Sequence, residues 1–545
     1  MSEKPATQTT PWWKTGVVYQ IYVRSFADSN GDGIGDLPGI TAHLDYLNNG
    51  GDDSLGVDAV WLTPFYESPN RDFGYDVTDY RKVHPEHGNM ADFDRLLDQA
   101  HQRGIRVIND FVPNHTSDEH PWFVESSSSR DNPKRDWFLW SDDKAGGPPN
   151  NWQAAPGGPA WRYDERSGQY FYHAFFDFQP DLNWRNPDVK KAVLADIRFW
   201  LEKGVDGFRL DLINYLLENE NLTDNPRSFA GWYMAKFQDT THTRDLPETH
   251  AVLQEFRRLT DEFQDRMMIG EVVSFPWQDS PAATYTKSDE LHLAFNMEFP
   301  AVARFRADSY RRVVDRFEEK CPADGWPAYV LSNHDLPRHI GRLAGWGIYG
   351  YRACAVARAK LCAAMLMTLR GTPFLYYGEE LGMTNRWWPR SQVQDPLGHL
   401  AWPLYQGRDA SRKPMLWEPG PGGGFTTGQP WLAIDPEVDR LCVASAQRDP
   451  QSLFNFYRRL LWLRKATPAL QLGAYEPIGD PRRDLFLYRR EHEGRSVVVA
   501  LNFTGASVRL PGGVSGEVLL SSTQRDGSVV SGASLEPYEA LILEE

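Results

Sequence analysis

The chain has little cysteine, no long hydrophobic run and no excess of positive charge, and each shortage excludes something. Its four cysteines, Cys321, Cys354, Cys362 and Cys442, form neither a dense disulfide framework nor a metal-ligand spacing. A reducing compartment is favoured, and the expectation is a cytoplasmic protein. No apolar run is long enough to span a bilayer, and the opening MSEKPATQTTPWWKTG has no apolar core of the kind a signal peptide needs. Lys and Arg number 58 against 74 Asp and Glu, a net charge of −16, with the acidic residues spread along the sequence. That balance disfavours nucleic acid, anionic membrane and polyphosphate as partners.

What is abundant is aromatic: Trp 20, Tyr 23 and Phe 28. Such rings either fill a large core or, in a cleft, stack on the apolar faces of sugars; composition alone leaves both readings open.

The sequence pattern repeats. Short apolar segments run near Val17 to Val23, Val57 to Leu62, Ile105 to Phe111, Val205 to Asp211, Met267 to Val273, Leu291 to Met297, Ala328 to Ser332 and Pro373 to Tyr377. Amphipathic helices precede several of them: Phe93, Leu96, Leu97 and Ala100 share one face, as do Val193, Ile197, Trp200 and Leu201, and then Val252, Leu253, Phe256, Leu259 and Phe263. Gly104 and Gly204 close the first two helices, and Asn186 followed by Pro187 opens the second. Strand and helix in alternation imply parallel pairing, and eight units imply a closed (β/α)8 barrel more readily than an open doubly wound sheet.

Residues 114–184, rich in Trp, Gly, Pro, Asn and Asp, interrupt the alternation and read as a subdomain inserted after the third strand. The barrel is then expected in two pieces, 1–113 and 185–469. From residue 470 to 545 the pattern changes to short alternating runs such as DLFLYRR, RSVVVALNF and EALILEE, which fit a small antiparallel β-sandwich domain. EPGPGGGF, from Glu418 to Phe425, reads as a loop, since barrel-like sequence follows it.

Polar residues gather where the predicted strands end: Asp110, Asn114 and His115 in INDFVPNH, Arg209 and Asp211 in GFRLD, Glu271 in IGEVV, His334 and Asp335 in LSNHD. In a barrel these ends converge on one face, where catalysis takes place. The carboxylates of Asp211, Glu271 and Asp335, with an arginine and two histidines, suit cleavage of a glycosidic bond, in which one carboxylate attacks carbon and another carries a proton. Arg209 lies two residues before Asp211, on the same strand face, where its charge favours an ionised Asp211. Asp110 and Asn114 serve equally well as braces for the loop carrying His115.

These four segments resemble, in order and in their place on the strands, the four short sequence regions of the α-amylase family of glycoside hydrolases (family 13). The resemblance covers nearly the whole chain. It implies a retaining α-glucoside hydrolase with Asp211 as nucleophile, Glu271 as acid/base and Asp335 as the residue that holds sugar hydroxyls in the transition state. His115, Arg209 and His334 take substrate-binding roles.

RDFGYDVTDY resembles the segment whose Tyr75 would stack on the terminal glucose and whose Asp72 would fix its non-reducing end in exo-acting members; Asp76 could replace Asp72 or merely brace the turn. Arg412, in GRDASRKPMLW where relatives more often read RTPMQWD, would close the pocket with Asp72. The implied branch is that of the α-glucosidases and oligo-1,6-glucosidases, acting on a small oligosaccharide with no organic cofactor. Transglucosylation or sugar isomerisation on the same scaffold is the alternative.

The segment from Asp28 to Asp36 places oxygen groups at alternating positions around glycines, as a calcium loop requires, without the distant Glu of an EF-hand. It resembles the family's single calcium loop, in which Asp28, Asn30, Asp32, the Ile34 carbonyl and Asp36 would be ligands of a structural Ca2+. Finally, Gln179-Pro180-Asp181-Leu182-Asn183 resembles the version of the family's motif found in enzymes acting on α-1,6 bonds or sucrose. Leu212, directly after Asp211, stands where Val accompanies α-1,6 and Thr or Ala accompanies α-1,4 preference, and its bulk brings it nearer to Val.

Overall fold

A computed structural model describes residues 10–228, 237–273, 281–343 and 354–545; residues 1–9 of the opening segment lie outside them. All eight expected strands are present: β1 Val18–Ile21, β2 Ala59–Leu62, β3 Arg106–Phe111, β4 Gly207–Leu210, β5 Met267–Gly270, β6 Leu293–Phe295, β7 Pro327–Val330 and β8 Thr372–Tyr376. They pair in parallel, each with its sequence neighbours, and β1 closes on β8 with Val18 opposite Phe374. The barrel interior is a packed core that includes Trp61, Ile108, Ile269, Phe295 and Phe374.

The helices form where the caps predict. In α1, Met90–Gln102, Asn89 and Asp92 make a reciprocal capping box. In α2, Pro187–Lys203, the Asn186 side chain accepts from the Asp188 N–H, and Gly204 ends the helix at φ 104, a left-handed turn that favours glycine. Behind the barrel follow α3 Thr249–Thr260, α4 Ala307–Lys320, α5 Ala355–Thr368 and α6 Leu453–Ala466.

Between β3 and α2 lies the inserted subdomain, with an antiparallel three-stranded sheet of Trp140–Asp142, Gln169–Tyr172 and Trp161–Asp164. Its two ends meet at backbone bridges His115 to Asp181 and Phe138 to Leu182. At the other end, the expected start of the β domain at residue 470 falls within the short helix Pro468–Leu472, and the first strand begins at Ala474.

The final sheet is antiparallel and six-stranded, and its period-2 alternation serves two cores. Phe486, Tyr488, Val497 and Val499 face the core shared with the barrel helices, whereas Leu485, Leu487, Val498 and Ala500 face a second layer carrying Val508 and Leu535. Residues 418–425 form a turn-rich loop, as expected.

Candidate active site

Strand register assembles the site. Asp110 on β3 lies directly opposite Arg209 on β4, and the ladder runs one residue further on each side through the Asp211 N–H to the Phe111 carbonyl and the Glu271 N–H to the Leu210 carbonyl. Three acidic side chains therefore surround one guanidinium that is almost wholly buried. Arg209 Nη1 donates to Asp110 Oδ1 at 2.8 Å and to Asp211 Oδ1 at 2.6 Å, and its Nη2 donates to Glu271 Oε2. Burial raises Glu271 to about 8, against the pull of Arg209 and with the push of Asp211 and Asp335. Burial likewise raises Asp211, to about 7, and Arg209 limits the rise.

Asp335 is the more open carboxylate, its side chain about a third exposed. Burial alone would raise it, but the ring hydrogen of His334 and the Arg408 and Arg412 guanidinium groups outweigh that and hold it well below the usual carboxylate range. Arg412 Nη2 reaches Asp335 Oδ1 at 3.0 Å and Arg408 Nη1 reaches it at 3.4 Å. Gln20 Nε2 donates to His334 Nδ1 at 2.8 Å, which leaves the ring hydrogen on Nε2, facing Tyr75 and, at 3.3 Å, Asp335. Burial keeps His334 neutral. Tyr75 stacks on His334 with ring centroids 5.3 Å apart, and its hydroxyl donates to Asp110 Oδ2 at 3.0 Å. Asp110 is thus a brace, gripping Arg209, Tyr75 and Trp61.

His115 is pushed to about 3 by burial, and both ring nitrogens meet protein groups, the Tyr75 carbonyl at 3.2 Å and the Asn114 amide at 3.3 Å. Asn114 also donates to Asp181 at 2.9 Å, tying the His115 loop to the inserted subdomain.

Asp72 is buried, and Gln179 donates to it at 3.1 Å. Its cationic partner is Arg408, whose Nη2 donates to Asp72 Oδ1 while the same guanidinium holds Asp395 at 2.7 Å. The structure therefore gives Asp72 to Arg408 and not to Arg412, which is instead anchored on the His334 carbonyl at 2.8 Å and on Asp335. Both arginines stand in GRDASRK, and spacing could not separate them; only the fold shows which one faces Asp72. Asp76 accepts from Ser68 Oγ and from the Arg71 and Asp72 N–H groups, so it braces the turn.

A second feature is absent from the sequence reading. Phe175, Leu212 and Val273, all partly exposed, pack on one apolar cluster with Tyr215. Phe175 lies 5.6 Å from the His115 ring, Leu212 follows Asp211 and Val273 lies two residues past Glu271. The three side chains form an apolar wall, two of them carried by residues that closely follow Asp211 and Glu271 in the chain. Leu212 is held at φ 48, in the left-handed region.

In the loop Asp28–Asp36 the polar side chains serve the loop itself. Asp28 accepts from the Asn30, Gly31 and Gly33 N–H groups, Asn30 from Asp32, and Asp32 from Ile34. Asp36 accepts from Ser29 and caps the helix Leu37–Ala42 through the Gly39 N–H. Among the described residues no three His, Cys, Asp or Glu side chains are gathered as metal ligands would be, and no helix is long and apolar enough to cross a membrane.

The profile of the Alpha-amylase catalytic domain matches residues 20–473. The chain belongs to the α-amylase family of glycoside hydrolases. A Rhizobium meliloti (strain 1021) protein named "Probable alpha-glucosidase" is 44% identical over 513 residues, 92% of this chain and 91% of that protein. The oligo-1,6-glucosidase of Parageobacillus thermoglucosidasius is 38% identical over 565 residues, 97% and 98% of the two chains. Among solved structures, the alpha-glucosyl transfer enzyme XgtA is similar with a TM-score of 0.90 at 38% identity, over 98% of this chain and 100% of that one. The trehalulose synthase MutB from Pseudomonas mesoacidophila MX-45 reaches 0.88 at 35% identity, again over 98% and 100%. This member of the family is a glycoside hydrolase of the α-glucosidase and oligo-1,6-glucosidase branch, and its substrate is an oligosaccharide.

Proposed function

We propose that the enzyme removes single α-glucose units from the non-reducing end of short α-glucosides by double displacement. Asp211 attacks the anomeric carbon while Glu271 protonates the departing oxygen; Glu271 then activates the water that releases α-glucose. The observation that carries this reading is the buried guanidinium of Arg209, which holds both carboxyl groups at once. Neighbouring carboxyl groups suit retention, which uses a separation of about 5 to 5.5 Å, whereas inversion needs room for an intervening water. Asp335, kept ionised by Arg408 and Arg412, would grip sugar hydroxyls.

Exo action is supported by the buried set Asp72, Arg408 and Asp395, which would end the pocket behind one glucose. Replacing Arg408 with Ala should lower kcat/KM on maltose roughly ten- to a hundredfold, the worth of a charged hydrogen bond. Arg408→Lys, which keeps the charge, should recover part of the loss. Equal kcat/KM in Arg408→Ala and the parent enzyme would rule out the assignment. The decisive assay is a panel of maltose, isomaltose, sucrose, trehalose and maltodextrins, with products and the released anomer identified. We expect hydrolysis of short α-1,4 and α-1,6 glucosides, poor action on starch, and initial release of the α-anomer; internal cleavage of starch with disaccharides untouched would overturn the closed pocket.

Linkage preference should be graded, since a methylene or two in a pocket is worth only about 1 to 3 kcal/mol. Leu212→Thr, at the apolar wall, should shift the ratio of maltose to isomaltose hydrolysis toward maltose by roughly severalfold within that range; a shift toward isomaltose would sink the argument. The apolar wall and the likeness to a glucosyl transfer enzyme and a trehalulose synthase support a second activity, transfer to a sugar in place of water. Product analysis at high sugar concentration measures it.

Calcium is proposed for the loop Asp28–Asp36. All five donors are oxygens, the chemistry Ca2+ requires, wound about Gly31 and Gly33 at φ 84 and 89. The ion would serve stability, since a ligand that binds only the folded state shifts the equilibrium by mass action. Chelation should lower Tm by several degrees with less effect on activity at moderate temperature; an unchanged Tm with metal content shown to be nil would remove the site. A cytoplasmic setting is proposed on the four unpaired cysteines.

A further inference from the structure

Close in sequence to His334 and Asp335, and packed with the end of β8, lies a group of buried polar side chains that the mechanism does not use. Its centre is Glu379, at the turn after β8, 2% exposed, with neither carboxylate oxygen hydrogen-bonded among the described residues. His339 Nδ1 lies 3.5 Å from Glu379 Oε1, and its Nε2, like Arg342 Nε and Tyr457 Oη, is also buried without a hydrogen-bond partner. These groups come from three elements: the segment Ser332–Arg342 after β7, the turn after β8, and α6. Each is otherwise fixed. The His339 N–H donates to Ser332 Oγ at 2.9 Å, and Arg342 Nη2 donates to the Leu331 carbonyl at 2.8 Å.

A buried carboxylate with no partner is strongly unfavourable, and Arg342 and Tyr457 both lie within electrostatic reach of Glu379, so unpartnered atoms from separate elements gathered about it imply a shared ligand. The charges select it. A cation would meet the Arg342 guanidinium, an anion would meet Glu379, and only a small neutral molecule that both donates and accepts serves every group. Buried waters do this, each making about three hydrogen bonds.

We propose that ordered waters fill a small chamber among these groups and join Glu379 to His339, Arg342 and Tyr457. Glu379 is thereby a positioning residue for the segment Ser332–Arg342 and hence for Asp335, an inference that rests on the role proposed above for Asp335. The waters tie the end of β8 to the end of β7, so the open carboxylate of Asp335 keeps its place while the sugar distorts.

High-resolution diffraction from the whole chain tests the first part. Waters within hydrogen-bond distance of Glu379 and of His339 Nε2 or Arg342 Nε are expected; a dry chamber, or a protein group closing on the carboxylate, overturns the proposal. Kinetics test the second. Glu379→Gln, which keeps an accepting oxygen for water, should keep kcat within about threefold, while Glu379→Leu, which displaces water, should lower kcat about tenfold with little change in KM. Folded Glu379→Leu with parental kcat overturns the positioning role, whereas full activity in Asp335→Asn would instead overturn the role of Asp335.

Discussion

Replacing Asp211 with Asn should yield a folded protein whose hydrolysis of α-glucosides falls by at least about four orders of magnitude, as removal of a catalytic nucleophile does. An amide oxygen cannot form the glycosyl ester, so the first displacement has no acceptor for the anomeric carbon. Folding should survive, because Asn keeps an oxygen for Arg209 Nη1 and the burial that raises Asp211 to about 7 no longer opposes a charge. Tm and steady-state kinetics on the same preparation check this. Hydrolysis at the level of a few per cent, with parental enzyme excluded, would move the nucleophile elsewhere.

Glu271→Gln should lower kcat on unactivated glucosides by about two to four orders of magnitude, the usual contribution of a positioned acid and base. Glucosides whose leaving group departs without a proton should lose far less in the first step. The pH profile gives a sharper test. Glu271 assists departure only while protonated, and burial raises it to about 8, so activity should hold toward that value and fall as pH rises through it. As the proposed nucleophile Asp211 must be ionised, so activity should also fall as pH drops through about 7. Gln removes the alkaline limb and leaves the acid limb. An alkaline limb that persists in the variant would assign it to another group.

Much of this architecture was legible in one dimension because the signals are local. Eight apolar segments, the Asn186-Pro187 start and the Gly204 stop are set by burial, capping and the freedom of glycine at positive φ, and each acts within a few residues. The gathering of these polar residues was legible for a related reason: Asp110, Arg209, Asp211 and Glu271 sit at or just beyond strand ends, and parallel strands in register bring their ends together. The boundary near residue 470 was less legible, because Pro468–Leu472 is helical and the alternating pattern begins only at Ala474.

The sequence by itself thus determined the alternating barrel, the order of its parts and the residue types available for chemistry, since hydrophobic period and chain order need no knowledge of distant neighbours. Tertiary structure alone decided that Arg408 pairs with Asp72 and Arg412 with Asp335, that Phe175 joins Leu212 and Val273 in an apolar wall, and that Glu379 faces His339 from another element. Those pairings span long stretches of chain. Their energies come from burial and direct contact between charges, and neither exists until the barrel has closed.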